Sequence, residues 1–301
     1  MLLFLKDEFK KKYSSLTDFD SYWNTTSTFL KKSFRVNTLK IANTEMKKRF
    51  SHLNLRQVPW IKEGFWILDE RSDFGNWYEH QLGFMYLQEA ASMLPAIVLS
   101  PGKEDLVLDV AASPGSKTTQ MAAMMKNSGL VVANDVAYGR MPPLAHNIQR
   151  CGVTNTITTV MDGRRINQEV DKVLLDAPCS GVGTIRGPTG NSNYTMQVYS
   201  QHRVKTLSGI QKRLILASYR NLKKKGTMVY STCSLEPEED EEVIQFLLDE
   251  TDAKLEKINL KIKSEVNLDY GEYSSELKKC IKLWPQFYDT EGFFIAKIKK
   301  P

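Results

Sequence analysis

The sequence predicts a doubly wound α/β fold that follows a small α+β module. Two observations predict it: short apolar runs alternate with longer amphipathic stretches beyond residue 105, and polar motifs directly follow several of these runs. Strands joined by helical crossovers form a mostly parallel sheet with helices on both faces. The predicted strands are Leu106–Val110, Leu130–Asn134, Thr156–Met161, Lys172–Leu175, Thr227–Tyr230 and Phe293–Ile298.

Residues 1–78 are predicted to form the α+β module, and residues 79–301 the α/β domain. Residues 1–60 hold 12 Lys and Arg against 5 Asp and Glu, so their net charge of +7 exceeds the +6 of the whole chain. Aromatic residues interleave with these charges, which is typical either of a polyanion-binding surface with stacking side chains or of a solvated basic face over an aromatic core. The aromatic residues are Tyr13, Phe19, Tyr22, Trp23, Phe29 and Phe34.

The second domain is predicted to open with a helix over His80–Leu99. The strand Leu106–Val110 then leads into a loop of small residues that begins another helix. Small side chains let backbone amides approach a ligand, and a helix N-terminus favours a carboxylate or phosphate. The loop comprises Ala111, Ala112, Ser113, Pro114, Gly115, Ser116 and Lys117.

Three ligands compete for this loop. A phosphate-binding P-loop needs Gly at positions 111 and 116, where the chain has Ala and Ser. The Gly-x-Gly-x-x-Gly fingerprint of a dinucleotide site does not occur in the loop. What remains is S-adenosylmethionine, whose amino-acid end would lie against the loop.

Acidic residues end the next three strands. Asp135 could accept hydrogen bonds from both hydroxyls of a ribose, and Asp162 could accept one from an adenine amino group. Asp176 ends the fourth strand. Asp also favours turns and caps, but the regular placement of these residues beside the small-residue loop favours a nucleoside site.

Two cysteines stand at the ends of apolar runs, Cys179 within Asp-Ala-Pro-Cys-Ser-Gly and Cys233 within Ser-Thr-Cys-Ser. A thiolate is a strong nucleophile, so two thiols near a cofactor site predict covalent chemistry in two steps. The alternative is that both are small, inert core residues. The four cysteines are far apart and form no Cys-x-x-Cys pair, so we expect reduced thiols, no disulfide framework and no metal site.

The composition is that of a globular protein, with 42% apolar and 25% charged residues. No apolar stretch approaches the roughly 20 residues of a membrane span, and Met1–Leu5 is too short for the apolar region of a signal peptide. We therefore expect a cytoplasmic protein without a membrane segment. The last strand, Phe293–Ile298, could close the sheet as an antiparallel edge.

Over residues 80–301 the chain resembles the RNA cytosine-5-methyltransferase family, which includes bacterial ribosomal enzymes and archaeal and eukaryotic transfer-RNA enzymes. The short segment Arg35-x-Asn37-x-Leu39 is also similar to part of the family's N-terminal RNA-binding region. The matching segments in the α/β domain are Gln88–Met93, Asp109–Thr119, Ala133–Asp135 with Arg140, Leu144, Asn147, Arg150 and Gly152, Asp162–Gly163, Asp176–Thr184 with Arg186, and Ser231–Glu241.

The chain departs from the family pattern at a few positions. The cofactor loop has Ser113 where the family has Ala or Pro, and Ser116 where the family has Gly. Both changes keep the side chains small. Asp240 stands where the family has Asn, and places an extra negative charge near a helix N-terminus. None of these changes removes a reacting group.

The resemblance implies a Rossmann-like methyltransferase core that uses S-adenosylmethionine, and it implies roles for four residues. Cys233 would add to carbon 6 of cytosine, and Cys179 would assist loss of the carbon 5 proton and elimination of Cys233. DNA cytosine methyltransferases use the Pro-Cys cysteine for attack, and under that scheme the two roles would swap. Asp176 would contact the Watson–Crick edge of the base, and Lys117 would reach toward the base from the cofactor loop. The alternatives are that Asp176 caps a turn and that Lys117 is a surface lysine.

The compact chain resembles the archaeal transfer-RNA enzymes, so we expect 5-methylcytosine formation in tRNA by a monomer, with rRNA as the alternative substrate. A catalytically inactive RNA-binding protein is a second hypothesis, which the retained cysteines argue against. A third is methylation of an exocyclic amine, but such enzymes carry Asn/Asp-Pro-Pro-Tyr/Phe where this chain has Asp-Ala-Pro-Cys.

Overall fold

A computed structural model of the chain describes residues 5–70, 73–186 and 190–301. The N-terminal elements are α1 (Asp7–Leu16), α2 (Phe19–Thr26), β1 (Ser33–Val36), α3 (Asn43–Arg49), β2 (Leu55–Gln57), β3 (Gly64–Ile67), α4 (Tyr78–Gln81) and β4 (Met85–Leu87). They are followed by α5 (Leu94–Leu99), β5 (Leu106–Asp109), α6 (Ser116–Met124), β6 (Leu130–Asp135), α7 (Met141–Arg150), β7 (Thr156–Val160) and β8 (Val170–Asp176). The remaining elements are α8 (Gly190–Val198), α9 (Gln201–Arg220), β9 (Leu222–Thr232), α10 (Glu241–Glu250), β10 (Lys254–Leu255), β11 (Ile281–Leu283), α11 (Pro285–Tyr288) and β12 (Phe293–Lys299).

The large sheet confirms the predicted α/β fold. Its strand order is β10-β12-β9-β8-β5-β6-β7, and β11 also pairs with β12. Strands β5 to β9 pair in parallel. β12 is antiparallel to β9, as predicted, but it is not the edge of the sheet because β10 and β11 pair with its other side.

Alternate residues of the central strands pack on opposite faces of the large sheet. In β8, Leu174 joins the core beneath α5 and α6, whereas Val173 and Leu175 join the core beneath α9 and α10. Both faces are therefore buried, which explains why these strands read as continuous apolar runs. None of the helices in the described part of the chain is long and apolar enough to cross a membrane.

The predicted helix over His80–Leu99 is wrong. The segment contains the strand β4, which pairs with β1 in a small antiparallel sheet of order β2-β3-β1-β4. Gly83 precedes this strand with a φ of +71°, and a Cβ there would lie 2.0 Å from the carbonyl oxygen of Arg150. The helix α5 begins only at Leu94, with Pro95 in its first turn. The domain boundary between residues 78 and 79 stays a prediction, and the small sheet takes β4 from beyond it.

Most of the N-terminal aromatic residues belong to a core rather than to a stacking surface. Tyr13, Tyr22 and Phe34 are fully buried, and Phe29 is 71% exposed. The Tyr13 and Tyr22 rings both pack edge-on against Trp284, near the opposite end of the chain. Helices α1 and α2 are thereby joined to the segments around the large sheet.

Candidate active site

The carboxyl ends of β5, β8 and β9 meet at one edge of the large sheet, above a cavity of about 390 Å³. Eight residues of the predicted cofactor and catalytic set line this cavity: Ala111, Ala112, Ser113, Pro114, Ser116, Lys117, Asp176 and Cys233. Gly115, Asp135, Asp162 and Cys179 are not among the residues that line it. The structure thus brings the small-residue loop, the Lys–Asp pair and one thiol together in one space.

The two motif cysteines touch. Cys179 Sγ lies 3.0 Å from Cys233 Sγ, and both side chains are partly buried, whereas Cys151 and Cys280 are fully buried. The pKa of the Cys179 thiol is raised well above its usual value, first by its hydrogen bond with Cys233 and then by burial. Cys179 therefore holds its proton at neutral pH.

Lys117 is buried and paired, so it is not a surface lysine. Its Nζ donates to Asp176 Oδ2 at 2.7 Å and to Ser92 Oγ at 2.9 Å. Ser231 Oγ donates to the other carboxylate oxygen of Asp176 at 2.7 Å. With both oxygens held by donors, Asp176 presents a fixed carboxylate to the cavity, and this geometry is more than a turn cap.

Gly115 gives the cofactor loop its shape. It precedes α6 with a φ of +99°, a conformation that other residues rarely adopt. A Cβ there would lie 3.0 Å from Leu144 on α7, so a side chain at this position would also press on that leucine. The result is a helix N-terminus bordered by Ala111, Ala112 and Ser113, whose small side chains leave room for a carboxylate.

Asp135 is buried behind this loop. Its Oδ2 accepts from the Ser113 amide at 3.2 Å and pairs with Arg140 Nε at 3.3 Å. Arg140 in turn donates to the Ser113 carbonyl oxygen at 2.8 Å. Asp135 therefore fixes the loop, and its predicted contact with a ribose stays a prediction.

Asp162 caps the short turn Gly163–Arg165 instead of ending a strand. Its carboxylate accepts from the backbone amide of Arg164 at 3.0 Å and from Arg164 Nε at 2.9 Å. These hydrogen bonds lower the pKa of Asp162 to about 2. Asp162 is therefore a turn cap, which was the alternative interpretation of the sequence, and its contact with adenine stays a prediction.

Three further carboxyl groups of the cavity wall have no role assigned from the sequence: Asp109, Glu89 and Glu291. Burial raises the pKa of Asp109 to about 7, although Thr118 Oγ1 donates to it at 2.7 Å. Burial also raises the pKa of Glu89 to about 7 and that of Glu291 to about 8. The only sequence signal for Glu89 was its place in a matching segment, and Glu291 had none.

The Arg35–Leu39 segment joins the small sheet to the α/β domain. Arg35 is buried, and it donates to Gln88 Oε1 at 3.0 Å and to Thr119 Oγ1 on α6 at 3.1 Å. Asn37 Nδ2 donates to the carbonyl oxygen of Cys151 at 2.8 Å. The side chains of Arg35 and Asn37 therefore form hydrogen bonds inside the protein. An RNA contact in this region would have to be made by other residues.

Comparisons with known proteins find similar RNA methyltransferases. Residues 96–299 match the family described as 16S rRNA methyltransferase RsmB/F, and residues 5–90 match the N-terminal domain of 16S rRNA methyltransferase RsmF. The chain is 44% identical to a tRNA (cytosine(49)-C(5))-methyltransferase of Pyrococcus abyssi, over 98% of this chain and 99% of that protein. It is 40% identical to a ribosomal RNA small subunit methyltransferase F of Psychromonas ingrahamii, over 90% of this chain but only 57% of that protein.

Two of the solved structures that are similar to the whole chain come from Pyrococcus horikoshii. A methyltransferase homologue from Pyrococcus horikoshii has a TM-score of 0.88 at 36% identity, and the match covers 99% of this chain and 96% of that one. NSun6 from the same organism, solved with SFG, has a TM-score of 0.86 at 22% identity over 98% of both chains, which shows a common fold.

Proposed function

The chain belongs to the RsmB/F methyltransferase family, and on this premise we propose that it methylates carbon 5 of cytosine in RNA. The observation that carries the proposal is the contact between Cys179 and Cys233, 3.0 Å apart, beside the Lys117–Asp176 pair. Methylation of an exocyclic amine needs no thiol nucleophile, whereas methylation of carbon 5 needs one to make the ring electron-rich.

The residues of the cofactor loop fit S-adenosylmethionine, which supplies an electrophilic methyl group when it is bound. The N-terminus of α6 offers backbone amides to the carboxylate of the amino-acid part, and the residues before it are small. We assign this end of the site to Ala111, Ala112, Ser113, Pro114, Gly115, Ser116 and Lys117, and its nucleoside end to Asp135, Asp162 and Asp176. The NSun6 structure, which has the same fold, was solved with SFG, an S-adenosylmethionine analogue.

In the proposed reaction, Cys233 acts as the nucleophile. Its thiolate sulfur forms a bond to carbon 6, and the electron pair displaced from the 5,6 double bond makes carbon 5 nucleophilic toward the methyl group. Cys233 lines the cavity and Cys179 does not, and Cys179 retains its proton because its pKa is raised. Both observations favour Cys233 over Cys179 for the attack.

Cys179 serves the second half of the reaction. After methyl transfer, carbon 5 carries both the methyl group and its original hydrogen. Water first takes the proton of the Cys179 thiol, which leaves a thiolate that is a strong base because the pKa of this thiol is high and that lies next to Cys233. It takes the carbon 5 proton, the 5,6 double bond forms again, and the Cys233 sulfur leaves with the bonding electron pair.

Lys117 and Asp176 hold the base during these steps. The carboxylate of Asp176 accepts hydrogen bonds, which suits the amino group and a protonated ring nitrogen on the Watson–Crick edge of cytosine. Lys117 fixes this carboxylate and places a positive charge beside it. The target base must be unpaired or flipped out to enter the cavity, at a cost of a few kcal/mol.

We propose tRNA as the substrate, and rRNA as the second candidate. The Pyrococcus abyssi relative, which matches over 98% of this chain and 99% of its own length, is named for tRNA. The Psychromonas relative is named for rRNA and is longer, and this chain spans 57% of it. The proposal includes a cytoplasmic monomer that works without a metal ion, which light scattering of the purified protein and metal analysis would check.

The test is transfer of labelled methyl from S-adenosylmethionine to separated tRNA and rRNA that lack the modification, with the product nucleoside identified. We expect 5-methylcytosine in tRNA with the wild type and none with Cys233→Ala. Label in rRNA alone would select the second candidate. Label in a 4-methylcytosine or 6-methyladenine product, or none in either RNA, would contradict the proposed chemistry.

A further inference from the structure

Glu239 lies where the two cysteine-bearing loops meet. Its Oε1 accepts from the backbone amide of Ser180 at 2.9 Å, and its Oε2 accepts from Ser180 Oγ and from Ser234 Oγ, the latter at 2.6 Å. Ser180 follows Cys179, and Ser234 follows Cys233. One carboxylate thus connects both residues that come directly after the cysteines.

Two further hydrogen bonds hold Glu239 in place. Tyr230 in β9 donates its hydroxyl to the Glu239 carbonyl oxygen at 2.6 Å, and Glu239 is fully buried. Gln211 on α9 donates to Glu239 Oε1 at 3.0 Å and to the carbonyl oxygen of Pro178 at 2.8 Å, so it braces the Cys179 loop from the other side.

The charge of Glu239 is stabilised differently from those of its neighbours. Glu238 forms an ion pair with Lys12 at 2.7 Å, and Asp240 forms one with Lys282 at 3.2 Å. Among the described residues, no Lys or Arg lies within ion-pair distance of Glu239. Its carboxylate is held by hydrogen-bond donors alone, and an unpaired buried charge is costly to keep in a fold.

We propose that Glu239 is a positioning residue that keeps Cys179 and Cys233 in contact and places a negative charge beside Cys179. The inference rests on the proposed function, because it explains how the fold gives two chemically similar thiols different roles. A negative charge near a thiol disfavours its thiolate, so Glu239 disfavours ionisation of Cys179 and makes the Cys179 thiolate, once formed, a strong base for proton removal.

The surroundings of Cys179 agree with this role. The groups that face its thiol are Cys233, Glu239, Tyr230 and the backbone amide of Gly181. Glu239 is among the causes that raise the pKa of Cys179, after the hydrogen bond with Cys233, burial and the charge interaction with Cys233. Removal of the Glu239 charge should therefore make the Cys179 thiol easier to ionise.

The test compares Glu239→Gln with the matched control Glu238→Gln. Glu238 is a neighbouring buried residue whose side chain contacts neither Ser180 nor Ser234. We expect Glu239→Gln to lower kcat about tenfold or more with KM for RNA within about twofold, because proton removal is impaired while binding is kept. A covalent RNA–protein adduct should accumulate. Glu238→Gln should leave these quantities as in the wild type.

A second readout does not depend on methyl transfer. In a Cys233→Ser background, iodoacetamide should modify Cys179 severalfold faster at pH 8 in the Glu239→Gln variant than in the Glu238→Gln variant. Equal alkylation rates, or equal kcat values for the two variants, would overturn the proposal. If Glu239→Gln does not fold, Ser180→Ala and Ser234→Ala take its place, and unchanged kcat in both would overturn it.

The outcomes separate the two proposals. If the wild type transfers no methyl group to any RNA, the proposed function fails, whereas the alkylation comparison still decides the role of Glu239. If the wild type is active and Glu239→Gln behaves like its control, only the positioning role fails.

Discussion

Replacement of Lys117 by Met tests whether Lys117 and Asp176 act as one unit. The substitution keeps an unbranched side chain of similar length but removes the ammonium, which leaves the Asp176 carboxylate with Ser231 as its remaining donor. Breaking a buried pair costs about 3–5 kcal/mol, whereas an exposed pair contributes about 0–1 kcal/mol. The side chains are 9% and 30% exposed, so we expect an intermediate loss of roughly 1–3 kcal/mol of unfolding free energy.

The assay is a double-mutant cycle of urea unfolding. Lys117→Met, Asp176→Asn and the double variant are compared with the wild type, and the interaction energy is the part of the double loss that the single losses do not account for. Because the unpaired carboxylate is absent from the double variant, that variant should be more stable than the sum of the single losses implies, by about 1–2 kcal/mol. An interaction energy below about 0.3 kcal/mol would show that the two groups are independent and would refute the reasoning.

Three further predictions follow from the geometry of the same site. Cys179→Ala should accumulate an RNA–protein adduct that survives denaturing electrophoresis, because Cys233 still attacks but proton removal is slowed; loss of the adduct in the Cys179→Ala/Cys233→Ala double variant is the control, and free turnover without an adduct would count against it. Gly115→Ala should cost about 1–2 kcal/mol of unfolding free energy, from its φ of +99° and the approach to Leu144, and should weaken S-adenosylmethionine binding in calorimetry; unchanged affinity would contradict the loop assignment. Asp109, with a folded pKa of about 7 against 3.8 in the unfolded chain, binds a proton more tightly when folded, so the wild type should lose stability relative to Asp109→Asn as pH rises from about 4 to 7 and no further above that; parallel urea midpoints for both proteins across this range would refute it.

The sequence predicted the large sheet well because its strands are buried on both faces. Short, mostly apolar runs such as Lys172–Leu175 are typical of strands covered on both faces, and the polar motifs after them marked the edge where the cavity lies. The same reasoning failed for His80–Leu99. Apolar residues there fit a helix equally well, and what decides against it is pairing with β1, about 50 residues earlier in the chain.

Contacts between distant segments account for most of what the sequence did not predict. Tyr13 reads equally as a surface or core residue until Trp284 is placed against it. The raised pKa values of Asp109 and Glu291 come mainly from burial, which no local pattern encodes. Glu239 stood in a matching segment, but its role depends on two loops that meet only in the folded protein.

The order of the two cysteines is the central claim, and a trapped reaction tests it most directly. RNA that carries 5-fluorocytosine lets the thiolate add and the methyl group transfer, but fluorine at carbon 5 cannot be removed as a proton, so the attacking cysteine stays bound to the base. Mass spectrometry of the protease-digested adduct then identifies the attached residue. We predict that the RNA nucleotide is attached to Cys233; attachment to Cys179 would reverse the assigned roles and contradict the account.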